Sequence, residues 1–263
     1  MIDLKNIKID NNEPKIKYSE IVLFRENLKN LPEYDLPEGY NFCFYNGEKD
    51  KSDWIEIEKS AREMLFTEQG LKAWQIYYGG KEEELFDRML FVVSPDGEKV
   101  ATATAFYHED DSKGAGWLYW VAVKRDFQGK GLSKPLIAKT LRLLRDKGYE
   151  NCKISTQPNT WLAVKIYLDF GFLPYNTEES REGYRILRTI LNHKSLSGFE
   201  PLAWEDIFDK NVVALEEALK NKYPELADYC PFFDDGIVKF TLKGKKTLFS
   251  KNFDILDGCV KFK

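Results

Sequence analysis

The pattern of apolar and polar positions changes period several times along this chain, and each change predicts an element. Residues 40–45, Tyr-Asn-Phe-Cys-Phe-Tyr, are aromatic and partly alternating, which suits a strand. Asp53 with Glu56 three residues later has the form of a capping box, and Ile55, Glu58 and 61–64 continue the helix it opens. A second helix is predicted over 81–89. Residues 90–93 form a short apolar strand, Ser94-Pro-Asp-Gly97 a turn, and 100–107 a strand of small and threonine residues. Trp117-Leu-Tyr-Trp-Val-Ala-Val123 is the most strand-prone run, because aromatic and β-branched side chains fit a pleated surface. Residues 132–147 are helical, with Leu136, Ile137, Thr140, Leu141 and Leu144 on one face and Gly148 placed to stop them. A strand at 152–156, a helix over 161–170 ending at Gly171 and a closing strand at 184–190 complete this part.

The two ends read differently. Residues 1–37 are charged and irregular apart from Ile21-Val-Leu-Phe24, and read as an arm or short helix. Residues 191–199 are polar and read as a linker. Beyond them 211–222 is amphipathic, with Val212, Leu215 and Leu219 on one stripe. Short strands follow at 237–242 and 247–249, separated by a Lys-Gly-Lys-Lys turn, and Asp257-Gly258 between apolar runs is a strong hairpin signal. The organisation expected is an arm (1–37), a main domain (38–191) and a small helix-plus-hairpin extension (192–263).

Composition narrows the chemistry. With 43% hydrophobic and 31% charged residues the chain has the makings of a packed core. A net charge of −4 gives no basic excess for nucleic acid. Cys43, Cys152, Cys230 and Cys259 form no C-x-x-C pair, and only His108 and His193 are available, so neither a zinc knuckle nor a histidine metal site is expected. Charges interrupt the first ten residues, unlike a signal peptide, and no long uncharged apolar window occurs. A cytoplasmic protein without membrane association is expected.

The informative stretch is Val121-Ala-Val-Lys-Arg-Asp-Phe-Gln-Gly-Lys-Gly-Leu-Ser133. A strand runs into a glycine-bearing loop and then a helix. Helix starts leave backbone N–H groups unpaired and present the positive end of the dipole, so such a loop suits a pyrophosphate. Lys130 and Lys134 add positive charge. The third glycine of a dinucleotide fingerprint is missing, since Pro135 follows, and there is no Gly-Lys-Ser/Thr ending of a P-loop.

Gln128-Gly-Lys-Gly-Leu-Ser133 resembles the Q/R-x-x-G-x-G/A loop with which enzymes of the GNAT superfamily hold the pyrophosphate of acetyl-CoA. Val121-Ala-Val123 resembles that superfamily's splayed central strand. Ala163-Val-Lys-Ile-Tyr-Leu-Asp-Phe-Gly-Phe172 resembles its A-x-x-x-Y-x-x-x-G-F signature. The resemblance covers residues 40–191. It departs at Ser133, where Gly or Ala is usual, and at Thr160, where asparagine is common, with Asn159 one residue earlier; both residue types cap helices.

The resemblance implies an α+β fold, a mixed and mostly antiparallel sheet of about seven strands flanked by helices and split between Val121 and Ile154. It implies an acetyl-CoA-dependent N-acetyltransferase acting directly on an amine, small-molecule or protein, as monomer or homodimer. Acetyl-CoA would be held by Val121, Val123, Gln128, Gly129, Lys130, Gly131, Leu132, Ser133, Lys134, Asn159 and Tyr167, with no metal. The backbone N–H of Val121 or its neighbour would steady the carbonyl oxygen, and Tyr167 would give the departing thiolate a proton or at least a hydrogen bond. The base is not legible: Tyr119 occupies the central strand, and His108, Glu109, Asp110 and Asp111 read as a solvated turn. Trp117, Trp120, Trp161 and Cys152 read as packing residues. A non-catalytic acyl-CoA sensor is the alternative.

Overall fold

In a computed structural model of the 263-residue chain, residues 5, 7–64, 66–111, 114–175, 177–222, 229–234, 237–242, 247–256 and 259–262 are described, with side chains as far as 218 and at 221. The chain divides into two compact units. One comprises 22–155 and 166–175; the other comprises 1–21, 156–165 and 176–263.

The first unit is built on a seven-stranded sheet. The elements up to the last strand of that sheet are, in chain order, β1 (Ile21–Arg25), β2 (Asn41–Phe44), α1 (Glu48–Ala61), α2 (Thr67–Tyr78), β3 (Met89–Val93), β4 (Lys99–Tyr107), β5 (Gly116–Val123), α3 (Ser133–Asp146), β6 (Cys152–Thr156), α4 (Trp161–Asp169), which the division between the units crosses after Lys165, and β7 (Leu173–Pro174). The strand order is β2-β3-β4-β5-β6-β1-β7. Pairs β2–β3, β3–β4, β4–β5 and β1–β7 are antiparallel, and β5–β6 is parallel. The α+β expectation of about seven mostly antiparallel strands holds.

β5 and β6 pair only at Gly116–Cys152 and Trp117–Lys153, at the start of both strands. Beyond that point the sheet opens, leaving one flank of 118–123 outside any ladder with β6. That is the split expected between Val121 and Ile154. A buried ion pair closes the narrow end: Lys153 Nζ lies 2.8 Å from Asp111 Oδ2, which also accepts the Trp117 indole N–H at 3.0 Å.

Several elements differ from the sequence reading. Residues 21–24 are a strand of the sheet, not a helix. α1 begins at Glu48, ahead of Asp53, because Glu48 and Asp50 already suit its positive end and Asp50 accepts the Asn46 N–H at 2.7 Å. α2 escaped notice because only Gly70, Trp74 and Tyr78 face inward, while Leu71 and Ile76 are exposed and blur the period. Gly70 lets the two helices touch: a Cβ there would sit 2.7 Å from Ile55 Cγ2. Residues 82–87 are only a short 3-10 helix.

The core on this face of the sheet is aromatic. Trp54, Trp74, Tyr78, Phe91 and Phe106 are fully buried, and their rings meet mostly edge to face, for example Trp54–Trp74 at 5.4 Å and Tyr78–Phe106 at 5.4 Å.

The second unit carries α5 (Arg181–Ile190), α6 (Lys210–Lys222) and β8 (Tyr229–Asp234), β9 (Ile237–Leu242), β10 (Thr247–Leu256) and β11 (Cys259–Phe262), which form an antiparallel sheet in the order β11-β10-β9-β8. The strand predicted over 184–190 is instead α5. It buries Gly183, Tyr184, Ile186 and Leu187, a helical spacing that only resembles alternation in a short window. The turns predicted at 243–246 and 257–258 lie outside the described residues. Ile16, Ile186, Ile207, Phe208 and Val213 make this unit's core.

Candidate active site

β5 carries a bulge. Thr102 faces Ala122 and Thr104 faces Tyr119, so the single residue Ala103 opposes both Trp120 and Val121. Trp120 takes φ +49°, a left-handed conformation that is uncommon outside glycine. A bulge leaves its extra residue out of the ladder, so the main chain interrupts its pairing at Val121, beside the opening of the sheet.

After Val123 the chain turns through a short 3-10 helix into the loop 128–132. The Gln128 side chain donates to the Val123 carbonyl at 3.1 Å, which ties the loop to the strand. Gly129 and Gly131 have φ of +76° and +80°, which any other residue reaches only with strain. A Cβ on Gly129 would meet nothing within 4 Å, and one on Gly131 only Pro37 Cγ at 3.9 Å. The glycines therefore serve the conformation and leave open space above the main chain. Leu132 is buried and anchors the loop.

α3 starts at Ser133 with no side-chain cap and no acid in its first turn. The helices α1, α2 and α5 each place an acid there. α3 instead has Lys134, whose Nζ lies 5.6 Å from the Tyr34 ring centroid, while Lys130 Nζ lies 4.3 Å from that of Phe127. Both lysines are exposed. A helix start with free N–H groups, flanking lysines and open space fits an anion such as a pyrophosphate.

α4 explains the A-x-x-x-Y-x-x-x-G-F signature in physical terms. The Gly171 N–H bonds to Leu168 O at 2.9 Å and the Phe172 N–H to Tyr167 O at 3.1 Å, a Schellman ending with Gly171 at φ +83°. Phe172 is fully buried, its ring 6.1 Å edge-on from that of Tyr167. The ending thus fixes Tyr167, which is itself buried. Burial, followed by the negative charges of Glu63 and Glu58, pushes the Tyr167 hydroxyl well above its ordinary range, so it stays a proton donor.

Those two carboxyls were missed in the sequence. Glu58 lies on α1 one turn after Trp54, on the stripe that faces the core, and both residues are 0% exposed. Neither Glu58 oxygen has a hydrogen-bond partner. Burial and then Glu63 raise the Glu58 carboxyl well above the usual range. Glu63 follows the end of α1, where the Glu63 N–H bonds to Glu58 O at 3.0 Å and Arg62 sits at φ +70°. Water reaches Glu63, yet protein crowds its carboxyl, and this loss of hydration raises it to about 7. A carboxylate at i+4 from a tryptophan on an apolar stripe was the signal available.

The other expected residues separate. Asn159 belongs to the second unit, where its Oδ1 is buried without a partner and the Thr160 hydroxyl donates to Gln157 O at 3.0 Å, so neither side chain supplies a cap. The acidic turn is structural: Asp111 pairs with Lys153, Glu109 with Lys81 at 2.6 Å, and His108 Nδ1 accepts the Asp110 N–H at 3.3 Å. Cys152 is sealed in the core, where burial raises its thiol and makes it inert. Among the described residues no group of His, Cys, Asp and Glu could hold a metal ion, and no helix is long and apolar enough to cross a membrane.

The sequence matches the model of the acetyltransferase (GNAT) family over residues 51–172. Curated relatives include the mycothiol acetyltransferases of Streptomyces coelicolor, 28% identical over 149 residues, and of Nocardia farcinica, 25% identical over 152 residues. The matched segments are 56% of this chain and 47% and 50% of those proteins, so the chain spans about half the length of these relatives. Among solved structures, a GCN5-related N-acetyltransferase from Sphaerobacter thermophilus matches with a TM-score of 0.47 and 19% identity, covering 60% of this chain and 49% of that one. The strand that leaves its neighbour, the left-handed glycine loop and the tyrosine helix closed by Gly171-Phe172 all lie within 51–172, and this stretch of the chain is a domain of the acetyltransferase (GNAT) family.

Proposed function

We propose that the chain transfers the acetyl group of acetyl-CoA directly to an amine, without an acyl-enzyme. The loop 128–133 carries this reading. Its two left-handed glycines open α3 onto free space, with lysines where α1, α2 and α5 place acids.

In this reading Gln128, Gly129, Lys130, Gly131, Leu132, Ser133 and Lys134 hold the pyrophosphate, chiefly through backbone N–H groups, with Gln128 shaping the loop from behind. Val121 and Val123 offer main-chain groups along the open flank of β5. The bulge directs the Val121 N–H to the carbonyl oxygen, where negative charge builds up as the amine attacks. Tyr167 donates its proton to the departing thiolate. Residues 38–191 form the acyltransferase domain, 1–37 an arm that lends β1, and 192–263 an extension. The acceptor is an amine, small-molecule or protein, and neither nucleic acid nor membrane enters the reaction. The chain works in the cytoplasm as monomer or homodimer.

The test is thiol release from acetyl-CoA against a panel of amines, with calorimetry of acetyl-CoA binding alongside. Turnover with one amine class supports the transferase. Binding without turnover on any amine moves the non-catalytic sensor ahead.

A further inference from the structure

Glu58 presents an anomaly that folding does not explain. A buried carboxyl without a hydrogen bond or a cation costs stability, and an apolar residue of that size on the same stripe would remove the cost. Glu58 is fully buried, both its oxygens are orphaned, and the Schellman turn at Arg62 folds the chain back so that Glu63 follows it closely. Two acids, one sealed and one reachable by water, then act together on the same hydroxyl, that of Tyr167.

We propose that Glu58 and Glu63 form a coupled carboxyl pair in which Glu63 takes the proton from the acceptor's ammonium and Glu58, sealed behind it, keeps its own proton and adds no second negative charge to the site. This rests on the acetyl-transfer reading above. Glu63 is the catalytic member because a nucleophile's proton can reach it. Glu58 is sealed, so it is a positioning residue.

The groups around the pair fit a cationic visitor. Glu58 faces Glu63 from the end of α1 and Tyr78 from α2, and the pair faces Tyr167 from α4; Tyr77 and Tyr119 act on Tyr78 in turn. No lysine or arginine is among the groups that shift Glu58 or Glu63. Trp120 stands 5.3 Å from Trp54 and 5.2 Å from Tyr77, the latter 39% exposed. Half-open aromatic faces beside unpaired acids attract an alkylammonium. A base whose proton affinity lies near neutral pH is matched to the task.

The proton balance closes. The ammonium gives one proton to Glu63, which passes it to solvent. The neutral nitrogen attacks the thioester carbonyl, forming the C–N bond, and the C–S bond breaks. The second nitrogen proton ends on the CoA thiol: Tyr167 gives its own proton to sulfur and is made good from the nitrogen.

The experiment uses the full chain and its Glu63→Gln, Glu63→Asp and Glu58→Gln variants. Carboxyl carbons of labelled glutamates are titrated by NMR, and thiol release is followed across pH with a primary alkylamine and with methoxyamine, which is already neutral at pH 7. One carboxyl should titrate near neutrality and vanish in Glu63→Gln, and a second, higher one should vanish in Glu58→Gln and move down in Glu63→Gln. Glu63→Gln should lose about 100-fold in kcat with the alkylamine at an unchanged KM for acetyl-CoA, and far less with methoxyamine. Glu63→Asp should recover part of the loss, and Glu58→Gln should leave the acidic limb of kcat/KM where it is. The pair is overturned if every glutamate titrates below about 5, or if Glu63→Gln keeps wild-type kcat with the alkylamine. If no amine turns over while acetyl-CoA binds, acetyl transfer itself fails, and the NMR titration alone decides whether the pair exists.

Discussion

Each of the two units holds a pair of glutamates with at least one member buried, and they treat the buried acid in opposite ways. In the second unit Glu13 and Glu216 share Lys15, whose Nζ lies 3.4 Å and 3.0 Å from their oxygens. Glu13 also accepts the Asp10 and Lys15 backbone N–H groups at 3.2 and 3.1 Å. Burial alone would lower the lysine, but the two carboxylates outweigh it and hold Lys15 above its ordinary value. In the sheet unit Glu58 has no such partner. The chain can satisfy buried acids where structure is all that matters. Where it leaves one unsatisfied, beside the family's signature tyrosine, the omission points to a ligand.

The largest effect is expected from breaking the paired side. Lys15→Met strands two buried carboxylates and should cost about 3–5 kcal/mol, read as a fall in the denaturation midpoint. Next, Tyr167→Phe should lower kcat about 100-fold, or about 2.7 kcal/mol in the barrier, with acetyl-CoA affinity unchanged by calorimetry. A retained kcat would take Tyr167 out of the reaction.

On the unpaired side the same kind of surgery should stabilise. The Glu58 carboxyl is raised above its unfolded value, so between those two values the folded chain holds a proton the unfolded chain has lost. Stability therefore falls as pH rises through that window, and Glu63 adds a similar loss between 4.5 and about 7. Gln does not titrate. Glu58→Gln should melt no higher than wild type at acid pH and higher at alkaline pH, by about 2–4 °C for each kcal/mol regained. Thermal melts across pH check the sign; a lower melting point at alkaline pH would mean that Glu58 holds a hidden partner.

The smallest effect concerns the turn that joins the pair. α3 and α4 both end in Schellman bonds with glycine at the left-handed position, Gly148 and Gly171. α1 ends the same way with Arg62 at φ +70°. Arg62→Gly should therefore gain about 1 kcal/mol, measurable by chemical denaturation. A loss instead would show that the arginine side chain holds the turn.

The cofactor half of the candidate site was legible because backbone does its work. Left-handed glycines and a helix start leave marks at fixed spacing, as in Gly129, Gly131 and Gly171. The half proposed above for the acceptor was illegible because it joins side chains on different elements. Glu58 looks like any helix residue until Trp54 shows which face is buried, and α2 was hidden by outward Leu71 and Ile76. The strand mistaken at 184–190 and the true strand at Ile21–Arg25 show the same limit. A short apolar run names neither its period nor its partner, and the sheet recruits whichever strand lies at hand.

The bulge at Trp120 and Val121 also has a genetic meaning. Side chains along a strand alternate, so one extra residue swaps the face of everything after it. Losing a single codon at 120 or 121 would remove only one residue, yet it would exchange the faces on which Ala122 and Val123 are buried. For this strand a deletion acts as an inversion, and the reading frame of the sheet is as strict there as that of the gene.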